Sequence, residues 1–258
     1  MKQWRLFAEK EWLEMWRSYK WVWMPIVFIL IGVQQPLSLY FLPDIINSAG
    51  NLPEGTVIEI PTPSAEEVFA ASIGQYNTLG ILTIVLAFMG MISAEMKNGS
   101  AGMILAKPVS RSSYILAKWF SSALLLLCSI LCGYFATWYY TGNLFAFIPL
   151  KDFIESLSLY SLWLLFILSM LLFFNSIFKS QGMIAFIVFA IVILISMVSS
   201  VIPEGLSWNP SLLSSYSGLV LENEPFPSGF YSVLTITVIS ILVFISSSIF
   251  IFSKRELV

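Results

Sequence analysis

The sequence has no histidine, two cysteines and little charge: 13 Lys and Arg against 15 Asp and Glu in 258 residues, or 11%. The missing histidine excludes His-ligated haem, His-based zinc centres and Ser-His catalysis. Cys128 and Cys132 stand four residues apart with no partner ligands in the pattern, and read as small packing residues. A soluble domain carries roughly a quarter charged residues, so the scarcity of charge excludes a soluble domain of any size. No G-x-x-x-x-G-K-[ST] run is present, which removes ATP binding through a P-loop. A net charge of −2 gives no basis for a nucleic-acid partner. Within the apolar runs there is no carboxylate except Glu95 at a helix end, so the relay of a proton-coupled pump is missing. The first twenty residues are too long and too acidic for a signal-peptide n-region, and no small-residue cleavage site follows them.

What is present is apolar: 58% of the chain. A spanning helix needs about 20 apolar residues. The pattern predicts an all-α integral membrane protein forming a single transmembrane domain over 1–258. Six transmembrane helices are expected at about 21–42, 68–95, 115–141, 156–178, 181–202 and 229–252. An even number of spans puts both termini on one side. That side carries Lys2, Arg5, Lys10, Arg17, Lys20, Lys97, Lys107, Arg111, Lys118, Lys179, Lys254 and Arg255, and the opposite side Lys151 alone. Twelve cations against one predicts a multi-pass cell-membrane protein with both termini cytoplasmic.

Residues 1–20 read as an interfacial helix, with Trp4, Trp12 and Trp16 among interleaved charges, although the apolar stripe is imperfect. Such a helix would rest on membrane lipid. On the far side, Ser64-Ala65-Glu66-Glu67 is a capping box that predicts a second helix starting near Ala65 and running to about Met96. Between the fifth and sixth spans, Asn209-Pro210 opens a short apolar helix over 209–221, too short to cross. The polar residues inside the spans are Gln34, Gln35, Gln75, Asn77 and Asn175. Pairs such as Gly90 with Ala94 and Ser129 with Gly133 suit close helix contact.

The densest charge lies in "MISAEMKNGSAGMILAKPVSRSSYILAKW", residues 91–119. About eighteen residues, Lys97 to Tyr114, separate two spans that a few would connect. The run "MKNGSAGMILAKP" can form one short helix before Pro108 stops it, and it sets cations beside Met103, Ile104 and Leu105. Such a helix suits docking into a groove on a soluble partner.

The pattern Glu95, Gly99, Gly102, Ile104-Leu105, Lys107-Pro108-Val109-Ser110-Arg111 and Lys118 resembles the membrane subunits of type-2 ATP-binding-cassette exporters. The resemblance covers the whole chain in topology and residues 95–118 in motif. It implies a permease subunit whose connection 96–113 carries a coupling helix, with Glu95, Lys97, Gly99, Gly102, Met103, Ile104, Leu105, Lys107, Pro108, Arg111 and Lys118 as the coupling residues. Glu95 would hold that region through an ion pair with Arg111 or Lys118. The implied partners are a separate ABC ATPase subunit and a second copy or homologous permease. ATP and magnesium would sit on the ATPase, leaving this chain without a cofactor or enzymatic activity of its own. A non-transporting sensor or structural subunit of a membrane complex is the alternative. The substrate is not legible in the residues.

Overall fold

The computed structural model describes residues 2–49, 62–100, 110–201, 208–222, 224–227 and 229–254. It is all-helical, with no strand among the described residues and six helices long and apolar enough to cross a membrane. The all-α membrane fold expected from the sequence is therefore present.

Helix α1 (Lys2–Arg17) is joined to α2 (Lys20–Ala49) by a tight turn. Tyr19 takes a left-handed φ of 56° there, and the Ser18 hydroxyl donates to the Glu14 carbonyl at 2.8 Å. The second span comes in pieces: α3 (Ala65–Gln75), a π-helical turn over Tyr76–Gly80, α4 (Ile81–Phe88), a turn, and α5 (Ser93–Lys97). Long single helices follow: α6 (Arg111–Leu144), α7 (Leu150–Ile177) and α8 (Gln181–Val201). The short α9 (Leu212–Leu221) precedes α10 (Phe230–Lys254).

Most boundaries follow from local chemistry. The Ser64 side chain accepts from the Glu67 amide and the Glu67 carboxylate accepts from the Ser64 amide, so the predicted capping box starts α3 at Ala65. The third and fourth spans run longer than expected, to 111–144 and 150–177. Arg111 and Lys151 sit in first turns, where a long charged side chain can reach beyond an apolar layer.

Helices α6 and α7 form the centre. Helix α2 packs along α6, while α9 and α10 pack on α7. The α2–α6 contact depends on two glycines. A Cβ on Gly32 would meet the Gly133 carbonyl at 2.6 Å, and one on Gly133 would meet the Phe28 carbonyl at 2.8 Å. Proline at 36 removes the amide that would pair with the Gly32 carbonyl. Thr137 on α6 donates to that carbonyl instead, at 3.2 Å. Close packing and repair of the proline defect thus occur at one place. Beside it, Tyr76, Tyr134 and Tyr160 form a fully buried ring cluster with centroids 5.4–6.2 Å apart.

Candidate functional site

A group of charged side chains meets where α1, α5 and the start of α6 come together. Lys118 on α6 is 1% exposed, deep among apolar residues. Its Nζ donates to Glu11 Oε1 at 2.8 Å and to Glu95 Oε1 at 3.0 Å. Both carboxylates are buried as well. Lys10 also donates to Glu95 and reaches Glu11 at 3.3 Å and Glu14 at 3.1 Å. The Tyr114 hydroxyl donates to the other Glu95 oxygen. One carboxylate, Glu95, therefore ties α5 to α1 and α6. Desolvation would pull the Lys10 ammonium down, but Glu11, Glu95 and Glu14 outweigh it and hold the group above its ordinary lysine value.

Aromatic rings seat the charges. Trp4 meets Phe120 and Phe7 meets Tyr114 edge-on, at 5.5 and 5.8 Å between centroids. Tyr114 stacks on Phe252 of α10 at 5.4 Å. Carboxylate oxygens of Glu11, Glu14 and Glu95 lie within 4.8 Å of one another, close enough to ligate a cation. Two lysine ammonium groups already bridge them, so the cluster supplies its own positive charge. The paired charges tie α1, α5 and α6 to one another.

A few residues before Glu95 the span is interrupted, and side chains from two other helices repair the interruption. The Asn175 side chain on α7 is fully buried. Its Oδ1 accepts from the Ile92 and Ser93 amides, both at 3.3 Å. Its Nδ2 donates to the Phe88 carbonyl at 3.2 Å and to Leu171 at 2.9 Å. All four hydrogen-bonding positions of the amide are used. Lys20 on α2 donates to the Ala87 carbonyl at 2.8 Å, capping the end of α4.

A family model described as "Protein of unknown function (DUF2705)" matches residues 54–258. The chain belongs to that family. It is also similar to the "Uncharacterized transmembrane protein YxlG" of Bacillus subtilis (strain 168), 32% identical over 256 residues and 99% of each chain. The DUF2705 match includes Glu95, Lys118 and Asn175, while Lys10 and Glu11 lie before it. The relative's name places it in a membrane and gives no activity.

The structure places the other expected coupling residues as follows. Lys118, one of the two anticipated cations, pairs with Glu95, and Lys10 joins it there. Arg111 is instead directed at the end of α10, donating to the Phe252 carbonyl at 2.9 Å and the Ser253 carbonyl at 2.7 Å. Lys97 is exposed. Gly99 has a φ of +71°, a left-handed conformation that suits glycine as the chain leaves α5. Gly102, Met103, Ile104, Leu105, Lys107 and Pro108 lie outside the described residues.

Sequence reasoning missed Lys10, Glu11, Lys20 and Tyr114 and assigned Asn175 no role. A usable signal existed for Glu11. It falls four residues from Phe7 and four from Met15, on the face that α1 turns inward.

Proposed function

We propose that the chain is the permease subunit of an ABC exporter, working with a second permease copy or homologue and with a separate ATPase that docks on the connection between α5 and α6. The observation that carries this reading is the buried Glu95–Lys118 pair at the two roots of that connection. A solvated turn has no use for desolvated charge, whose burial costs several kcal/mol per ion before pairing. A connection that must pass displacement into the membrane needs stiff roots. Here Glu95 just before it and Tyr114 and Lys118 just after it are joined to each other and to α1. Arg111 adds a tie to the end of α10.

The cation bias supports a cytoplasmic position for this end and both termini in a cell-membrane protein. Leu6, Leu13 and Trp16 of α1 are exposed, as is Trp12, whose ring also meets Trp21 of α2. This suits a helix resting at the headgroup level of the inner leaflet. Export is carried by the family resemblance, and ATP hydrolysis belongs to the partner.

Co-purification with the ATPase tests the reading. Charge placed on the proposed docking segment, as Ile104→Asp or Leu105→Asp, is expected to release the ATPase while the membrane domain still inserts. Loss of one apolar anchor at an interface centre costs about 2 kcal/mol, near thirtyfold in affinity. Variants that retain the ATPase and transport like the parent would refute the coupling role. A retained complex with no ATP-driven transport in the parent itself would favour a structural subunit.

A further inference from the structure

Three glutamines lie at one level on one side of the bundle: Gln34 and Gln35 on α2 and Gln75 at the end of α3. Gln34 stands near the middle of α2, about 21 Å from Lys20 at 1.5 Å per residue. That is well inside a hydrocarbon layer about 30 Å thick. Gln34 is exposed and makes no hydrogen bond among the described residues. Gln75 Nε2 donates to Gln35 Oε1 at 3.4 Å. That bond leaves the Gln35 nitrogen and the Gln75 carbonyl oxygen over, and neither atom is sealed in the interior. Lipid tails offer an amide neither donor nor acceptor, and an unpaired amide in an apolar medium is unfavourable.

Beside the glutamines runs a strip of small side chains. Ala71, Gly74 and Thr78 of the second span stand three and four residues apart and are all exposed. The Thr78 hydroxyl donates to the Gly74 carbonyl at 3.2 Å, so the two share a face. Gln75 reaches α2 and Asn77 donates to Ser214 of α9 at 3.1 Å, while Ser72, Ile73 and Tyr76 are buried. The strip is thus the open floor between α2 and α9. A Cβ added at Gly74 would meet no atom within 4 Å. A floor of small residues lets another helix backbone come close.

We infer that this face pairs two copies of the chain, with the glutamine amides exchanging hydrogen bonds across a two-fold axis. An amide both donates and accepts, so the face turned about such an axis meets its own complement. None of these side chains is charged, so the copies meet without repulsion. The inference rests on the exporter reading only for the expectation of a second copy; the face itself is argued from the glutamines and the strip.

The test is Förster transfer between full chains carrying a donor or an acceptor at the C-terminus, reconstituted together in phosphatidylcholine vesicles over a range of protein-to-lipid ratios. Transfer is expected to rise to a plateau and to fall when unlabelled chain is added. Gln34→Leu should weaken self-association about tenfold, as loss of one interhelical hydrogen bond on each side of the axis would. Gly74→Val should weaken it at least as much by holding the backbones apart. Both sites are open in the single chain, so neither change disturbs its fold. Leu242→Ala, on the exposed face of α10, should leave association unchanged. In a chain with Cys128→Ala and Cys132→Ala, Thr78→Cys should cross-link copies on oxidation and Leu242→Cys should not. Gln34 and Gly74 variants that associate like the parent, or cross-linking at Leu242 in place of Thr78, would put the contact elsewhere and overturn this inference, while leaving the exporter reading its second copy. A parent with no transfer above random mixing would overturn it too, and would leave that reading a homologous partner only.

Discussion

Replacing Lys118 with methionine removes the charge at the centre of the ion cluster and keeps most of the volume. Glu11 and Glu95 then face each other with Lys10 as their remaining shared cation. Their nearest oxygens lie within 4.8 Å. Two like charges at that distance repel by about 3.5 kcal/mol at an effective dielectric near 20. Lys10 offsets part of this, but its side chain is 37% exposed, so water weakens its pull. Breaking one partner of a buried pair typically costs about 3–5 kcal/mol, and about 3 kcal/mol is expected here. For a chain of this size that is a fall of about 6–12 °C in the apparent melting temperature. Thermal unfolding of detergent-purified protein, followed by size exclusion of a fluorescent fusion, gives the readout.

A companion variant separates charge from packing. In the triple change Glu11→Gln, Glu95→Gln and Lys118→Met no buried ion of that trio is left uncompensated. Such replacements are often neutral or stabilising, so the triple variant should recover at least about half of the loss. A single variant that melts within about 2 °C of the parent would refute the reasoning. So would a triple variant no better than the single one, because the loss would then be one of shape.

Three further outcomes are expected. Asn175→Leu strands the Ile92 and Ser93 amides and leaves the Phe88 carbonyl with the Met91 amide alone, at about 1–3 kcal/mol per stranded group; hydrogen exchange should quicken at residues 88–93 and stay unchanged in α6, and uniform quickening would contradict a local clamp. Lys10 holds its proton more firmly folded than at the ordinary value of 10.5, so its contribution is full below that pH and is lost only as pH rises beyond it; release of α1, read by tryptophan fluorescence, between pH 7 and 9 would count against the cluster. Single cysteines at Glu222 and Asn98 should respectively react and stay silent towards an impermeant reagent in sealed cells, and labelling at Asn98 would reverse the orientation.

The features legible in the sequence are those whose cause is local. The capping box at Ser64 fixes the start of α3 because both of its hydrogen bonds lie within four residues. The six apolar runs fix the spans because the membrane imposes their length. Glu95 and Lys118 could be paired on paper because each stands at the membrane end of a span beside the same connection. Glu11 was harder to read: its spacing of four from Phe7 and from Met15 marks the inward face of α1, but a carboxylate there counts against the apolar stripe used to find that face. The interruption over residues 89–92 was equally hidden. Nothing in "LAFMGMIS" breaks a helix by itself, and the groups that stabilise the break come from Asn175 and Lys20, more than sixty residues away in either direction. The second span was expected to be one helix because sequence periodicity sees only the strand of chain it is reading.

These two hidden features bear on each other. The ion cluster joins α5, α1 and α6 by several charged hydrogen bonds shielded from water, which makes it the stiffer joint. The interruption is held by one neutral amide and one lysine, with hydrogen bonds of 2.8–3.3 Å, and by an incomplete backbone ladder in which the Met91 amide donates to the Phe88 carbonyl at 3.1 Å and the Ala94 amide to the Gly90 carbonyl at 3.2 Å. A displacement applied to the connection after Asn98 would therefore move α5 together with α1 and the start of α6, and the chain would yield at Met89–Ile92 before the cluster parted. In the proposed subunit this sets the order of events: the base of the bundle moves as one body, and α4 above it answers through the side chain of Asn175. Stiffening the interruption should then disconnect the base from the upper bundle without touching either the docking segment or the ion cluster.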